Sequence, residues 1–335
     1  MKRYALGLNI GLSLLFSMIC VLPAQAATYK QAEYIMGTVF EITVDTPKTL
    51  DAPQKEALFS PLFARLRRYD KALSDYDPQS DLRKMVRAVQ NKLPEDTLKM
   101  PDILCTALIR ASFFHAMTGG VFDITVSPLV RLWGFKDQNF RVPSDAEIAA
   151  AKRYTGFKGV RFDAAVCHIQ SLPPVEHPLD FGAMGKGMAI DDAIGVFKKE
   201  LLPKYSHIKG LAINGGGSSA YFWGAPEATP QGWPVLARGN VTLPPEFRWL
   251  KNKGLSVSGH DQQAFVYQGK RYSHIINPVT GYPVPYQGGS LYVLADHVTE
   301  ADILSTTLQI APPPQRPALF AKMAAGHAFT YWQAP

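Results

Sequence analysis

Asp180-Phe181-Gly182-Ala183-Met184-Gly185-Lys186-Gly187-Met188-Ala189-Ile190-Asp191-Asp192 is the stretch around which the rest of the chain arranges itself. Three glycines within six residues let backbone come close to a ligand, because a missing Cβ permits positive φ and removes a steric shield. A carboxylate precedes the run, a lysine lies inside it, and an apolar, helix-like segment from Ala189 to Phe197 follows. A loop that opens onto a helix N-terminus presents exposed N–H groups and the positive end of the helix dipole, which suit an anion such as phosphate. A plain glycine-rich turn before a packing helix is the alternative for such a stretch taken alone.

Two better-known glycine motifs do not fit. A P-loop needs Gly at position 180 and Ser or Thr after Lys186, where this chain has Asp180 and Gly187. Asn214-Gly215-Gly216-Gly217-Ser218-Ser219 lacks the spacing and the following helix of a dinucleotide fingerprint.

Outward from the glycine run, the first 26 residues read as a cleaved signal peptide. Lys2 and Arg3 start it, Leu6 to Leu22 is its apolar stretch, and Ala24-Gln25-Ala26 is the cleavage site. Lipidation at Cys20 is disfavoured by Ile19, which is too large for the position before a lipidated cysteine. The expectation is an exported, periplasmic protein, residues 27–335, folded as one domain. No later stretch has the ~18 unbroken apolar residues of a membrane span. The formal net charge of +7 falls by two with the leader, and the basic clusters are short, as in Arg65-Leu66-Arg67-Arg68. That balance excludes a nucleic-acid footprint yet favours the arrival of a phosphate-bearing ligand. Cys105 and Cys167 remain, either as a disulfide or as buried thiols.

The pattern along the chain predicts a strand over Val39–Val44, a helix over Asp51–Tyr69 that Pro61 can kink, and a polar turn over Leu73–Leu82. Asp102–Thr118 reads as a helix stopped by Gly119-Gly120, and Val121–Leu129 as a short strand or extended loop. After a helix over Gly187–Leu202 the chain is mostly strands: 207–213, 219–223, 233–237, 255–257, 263–267, 271–276 and 290–295. Gln268-Gly269-Lys270 joins two of them as a hairpin turn. Val298–Ile310 is a helix, and Ala318–Ala325 with His327–Trp332 completes the fold. Strands and helices do not alternate strictly, so the fold class is α+β, with mixed, largely antiparallel sheets and flanking helices.

Three groups carry chemistry. Asp302 and Thr306 stand four apart on one helix face, where a carboxylate and a hydroxyl can offer oxygens to a hard cation such as Mg²⁺, although an acidic first turn with an exposed threonine explains them too. His274 ends a strand before Asn277-Pro278 and Thr280-Gly281, a position suited to accepting a hydroxyl proton near neutral pH. The other seven histidines, His177 among them, have no comparable sequence neighbours. Tyr76 sits in a polar turn, where a ring either stacks on a ligand or covers core.

Taken together these segments resemble the ApbE family, the FAD:protein FMN transferases. The match includes Met36-Gly37-Thr38, Ser74-Asp75-Tyr76 with Ser80-Asp81-Leu82, Gly120 to Val126 with Trp133-Gly134-Phe135, and Asp180 to Asp191. It continues through Asn214 to Gly217, Ser258-Gly259, His274 to Pro278 with Thr280-Gly281, and Ala301-Asp302 with Ser305-Thr306. The resemblance implies a fold of the type likened to the T-fold. It also implies an enzyme that binds FAD with Mg²⁺ and moves the FMN half onto a Thr or Ser hydroxyl of an acceptor protein, releasing AMP. Respiratory electron-transfer subunits are the usual acceptors. By position, Met36, Tyr76, Val121, Phe122, Asp123, Asp180, Lys186 and Ile275 would line the flavin nucleotide. The Ala183 carbonyl with Asp302 and Thr306 would hold the metal, and His274 matches the base. Three positions depart from the family pattern: Val86 where Asn is usual, Asn277 where Asp is common, and Val257 where Thr often stands. An FAD diphosphatase with the same site, or a non-catalytic FAD-binding protein, are the alternatives.

Overall fold

Most alternating segments of the sequence become strands of one seven-stranded antiparallel sheet, and the long helices pack against it. The computed structural model describes residues 27–94, 98–237, 241–259, 263–285, 289–324 and 328–334. The expected leader with Cys20 lies outside the described residues, as do His260 and His327.

The chain opens with a hairpin of β1 (Ala27–Ile35) and β2 (Thr38–Thr46), then α1 (Ala52–Leu73), α2 (Asp81–Gln90) and α3 (Asp102–Met117). Two short helices, α4 (Ser127–Leu132) and α5 (Asp145–Lys152), precede a small ribbon of β3 (Arg161–Asp163) and β4 (His168–Ser171). The glycine run becomes the start of α6 (Gly185–Val196), which ends in a π-helical turn at Phe197–Leu201. β5 (Gly210–Gly215), β6 (Ser219–Gly224), β7 (Trp233–Pro234), α7 (Pro245–Arg248), β8 (Trp249–Leu250) and β9 (Lys253–Gly259) follow. The hairpin β10 (Ala264–Tyr267) and β11 (Lys270–Ser273) comes next, then β12 (Ser290–Ala295), α8 (Val298–Ile310), α9 (Arg316–Ala324) and β13 (Thr330–Gln333).

Seven strands form the main sheet in the order β1-β2-β5-β6-β9-β12-β13, every neighbour antiparallel. The strand pairs of the described residues are antiparallel, in line with the largely antiparallel sheets expected from the sequence. On one face, Phe40, Ile42 and Val44 of β2 pack with Leu58, Leu62 and Leu66 of α1 and with Ala189 and Ile190 of α6. Further along, Leu291 and Val293 of β12 pack with Leu304 and Leu308 of α8 and with α3. These side chains are fully or nearly fully buried, and each one larger than alanine is worth roughly 1.5–3 kcal/mol in removal from water.

Three expectations change. β1 was not expected; up to Ile35, which is buried, its residues alternate only between half-buried and exposed, too weak a contrast to read as a strand. The polar turn before Leu82 gives way at Ser80, whose hydroxyl accepts from Arg83 N–H, so α2 begins there. Val121–Leu129 is not a strand. Asp123 Oδ1 accepts from Thr125 N–H at 2.8 Å and Thr125 Oγ1 at 2.6 Å, capping a 3₁₀ turn over Ile124–Val126 that runs into α4. Here a side-chain cap overrides period-two patterning.

α6 and α8 cross closely. A Cβ on Gly187 would stand 2.7 Å from Thr299 Cα and from the Val298 carbonyl carbon. Asp191 on α6 accepts from Val298 N–H at 2.8 Å, Thr299 N–H at 2.9 Å and Thr299 Oγ1 at 2.5 Å, capping the start of α8.

Cys105 on α3 is bonded to Cys167 in the β3–β4 turn, a sequence separation of 62. Closing a loop of that length removes chain entropy from the unfolded state worth about 4 kcal/mol. Reduction is accordingly expected to lower the free energy of unfolding by that order, read by urea titration with and without dithiothreitol; coincident curves would contradict it.

Candidate active site

A cavity of 310 Å³ lies where the glycine run, α8, the ends of β6 and β9, and the segment after β11 converge. His274, Tyr76, Val121, Phe122, Asp123, Asp180, Ala183, Lys186, Ile275, Asp302 and Thr306 all line it. Met36 is not among the lining residues. It holds the β1–β2 turn at φ +52°, and its terminal methyl lies 3.2 Å from where a Cβ on Gly185 would stand.

The glycine run is anchored at both ends. Asp180 N–H donates to Ile124 O at 2.7 Å, and Asp180 Oδ1 accepts from Gly182 N–H at 2.8 Å. Gly187 N–H, which in a continuing helix would donate to the Ala183 carbonyl four residues back, donates to Asp302 Oδ2 at 2.9 Å. Ser219 Oγ donates to Asp302 Oδ1 at 2.8 Å. Burial, the largest influence, pushes the Asp302 carboxyl up to about 6, although Lys186 and the donated hydrogen bonds oppose it. A buried carboxylate held this reluctantly fits a cation. The Ala183 carbonyl, the Asp302 carboxylate and the Thr306 hydroxyl are hard oxygen donors of residues that line this cavity, a set that suits Mg²⁺ with water and phosphate completing its shell. Ser305 Oγ lies 3.0 Å from Ser256 Oγ and 2.8 Å from Ser258 Oγ, so hydroxyls tie α8 to β9 beside the donors.

His274 is half-buried, and its Nδ1 lies 3.0 Å from the Gln263 carbonyl oxygen. A carbonyl only accepts, so Nδ1 carries the proton and Nε2 keeps the lone pair. Burial pushes the imidazole below its ordinary value; Lys186 and Lys136 act in the same direction, and the Gln263 bond and Asp180 oppose it. The ring is neutral near pH 7, in the form that takes a proton.

Sequence reasoning missed Lys136. Its Nζ lies 2.8 Å from Asp180 Oδ2 and 5.0 Å from the Tyr76 ring centroid, within cation–π range. Burial works against both charges, but their attraction prevails, so Asp180 lies below the usual carboxylate range and Lys136 above the usual ammonium. The only local signal was adjacency, since Lys136 directly follows Trp133-Gly134-Phe135. Removing one partner of a buried pair costs roughly 3–5 kcal/mol, largely because the other charge is left alone. Lys136→Met is expected to destabilise by that order, and adding Asp180→Asn to recover most of it. A double-mutant cycle by denaturant titration decides, with additive losses contradicting the pairing.

Asp123 contributes structure to the wall: its remaining oxygen accepts from Gly156 N–H at 2.8 Å. Phe122 has its ring buried in the core. Tyr76 is 65% exposed and open to a flat ligand. His177, which seemed isolated in sequence, has Nδ1 2.6 Å from Asp75 Oδ1, and Arg131 Nη2 lies 2.6 Å from Asp75 Oδ2. This buried cluster holds the Tyr76 loop against α4. Of the three departures, Val86 packs in the core on α2 away from the cavity, and Asn277 Oδ1 accepts from Val279 and Thr280 N–H to form a turn. Val257 lines the cavity.

Comparison with known proteins bears on this geometry. The model of the ApbE family matches residues 36–329. The chain is 28% identical to the FAD:protein FMN transferase of Salmonella typhimurium, over 90% of this chain and 85% of that protein. It is 27% identical to the protein of the same name from Escherichia coli K12, with the same coverage. The crystal structure of the Pseudomonas stutzeri flavinyl transferase ApbE in its apo form superposes with a TM-score of 0.72 at 26% identity, covering 91% of each chain.

Proposed function

The chain belongs to the ApbE family, and on that premise we propose that it transfers the FMN half of FAD to a Thr or Ser hydroxyl of an acceptor protein, releasing AMP. The observation that carries the reading is the meeting of His274, Lys186, Asp180 and the oxygen donors Ala183, Asp302 and Thr306 in one cavity.

FAD would lie with its diphosphate at the start of α6, where N–H groups and Lys186 meet negative charge, and a flat ring would stack on Tyr76. Bound at Ala183, Asp302 and Thr306, Mg²⁺ would supply charge neutralisation to the diphosphate. His274 Nε2 takes the proton of the acceptor hydroxyl as its oxygen bonds to the FMN phosphorus. The pyrophosphate P–O bond then breaks, and AMP leaves with that bond's electrons. Little covalent work falls to the protein beyond holding the groups in line. The Cys105–Cys167 disulfide supports an oxidising compartment such as the periplasm, in keeping with the leader at 1–26, and a respiratory subunit exposed there fits as acceptor.

The test is incubation of purified chain with FAD, Mg²⁺ and a candidate acceptor. Flavin fluorescence that stays with the acceptor through denaturing electrophoresis supports transfer. Free FMN plus AMP would show a diphosphatase, and intact bound FAD a binding protein.

A further inference from the structure

The face of the sheet opposite α1, α6 and α8 holds a second cavity, of 630 Å³. Its floor includes Asn214, Ala220 and Leu255, which lie side by side across β5, β6 and β9, and the Trp233–Leu236 segment walls it. The short side chains of Ala212 and Ala220 leave the space under that wall unfilled, unlike the close packing on the opposite face. Leu236, at the wall, is 91% exposed.

This trough adjoins the active site. Ser218, Ser219, Val257 and Gly259 line both cavities. Ser219 also donates to Asp302, so the trough ends one hydrogen bond from that carboxylate. The two cavities differ in chemistry. The first carries Lys136, Lys186 and Asp180, suited to a charged dinucleotide. In the second, Glu41 is the charged residue of the described lining, and Lys30 already pairs with it at 3.0 Å. An in-line displacement needs its nucleophile to enter by a route other than the one the leaving AMP occupies.

We propose that the trough receives the acceptor protein's own segment, laid extended across the strands so that its Thr or Ser enters the active site at Ser218–Ser219. The proposal rests on the transferase reading above. The lining selects an uncharged segment with small and apolar residues beside the hydroxyl, and Leu236 packs on it as it docks.

A short synthetic peptide tests this, with one threonine, a photoreactive phenylalanine beside it, and alanine, glycine and valine elsewhere. Irradiated with the full chain, FAD and Mg²⁺, it is expected to label Phe222, Trp233 or Leu236, mapped by mass spectrometry. Labelling confined to other surfaces, or none, overturns the proposal. In turnover, Leu236→Asp is expected to raise the KM for the peptide about tenfold, with kcat and the KM for FAD unchanged; equal peptide KM values in wild type and variant overturn it. Labelling in the trough without any flavin transfer supports the docking site and counts against the transferase reading. Transfer with the trough unlabelled does the reverse.

Discussion

His274→Ala is expected to lower flavin transfer by roughly 10²–10⁴-fold, the range that general-base assistance supplies, while FAD still binds. Binding persists because the groups that meet the dinucleotide, Lys186, Asp180 and Tyr76, stand on other segments, and Asp180 and Tyr76 keep Lys136 as their partner. The loss is confined to the step in which a hydroxyl must shed its proton, because Gln263 holds the Nδ1 proton and leaves Nε2 to receive it. The pH profile adds an independent readout. The base works deprotonated, and burial has lowered its pKa, so the wild-type rate should hold steady as pH falls past the ordinary histidine value of 6.5 and drop only below it. In the alanine variant that acidic limb should vanish. Single-turnover rates measured across the pH range test both statements. A variant with the full rate, or with the limb intact, would remove His274 from the chemistry.

What could be read from the sequence was what repeats or clusters locally. α8 runs over Val298–Ile310 as its apolar spacing indicated, and so Asp302 and Thr306 fall on one helix face. The β10–β11 hairpin turns at Gln268 and Gly269, both at positive φ, as the residue pair suggested. What escaped depends on partners far apart in the chain. Lys136 and Asp180 are joined across forty-odd residues, and Asp75 and His177 across 102, without a pattern near either partner. Asp191 looked like part of a glycine motif and turns out to cap a different helix. Val121–Leu129, which read as a short strand or an extended loop, is instead turned into a 3₁₀ turn by one carboxylate bonding to the backbone two residues on. The trough was invisible for a simpler reason: a floor of small residues is defined only once five strands are in register.

Asp302→Asn should produce the other large effect, at least about 100-fold weaker Mg²⁺ binding with transfer lost in proportion, since it removes the charged donor of the oxygen set. The exchange is nearly isosteric. An Asn oxygen can still accept from Gly187 N–H, and its amide can donate to Ser219 Oγ in place of the bond Ser219 now gives. Stability separates a metal role from a packing role. In magnesium-free wild type the folded carboxyl titrates at about 6, raised from 3.8 chiefly by burial. The folded state thus binds the proton more tightly than the unfolded chain. The associated stability is fully present below 3.8 and is lost as pH rises through about 6, on the order of 3 kcal/mol in all. Near neutral pH in EDTA the variant should therefore melt higher than wild type, because it has no buried charge to desolvate. Adding Mg²⁺ should raise the wild-type midpoint and leave the variant's where it was. If Mg²⁺ stabilised both proteins equally, or if the variant were the less stable one in EDTA, Asp302 would be a structural carboxylate and the cation would have to be held elsewhere.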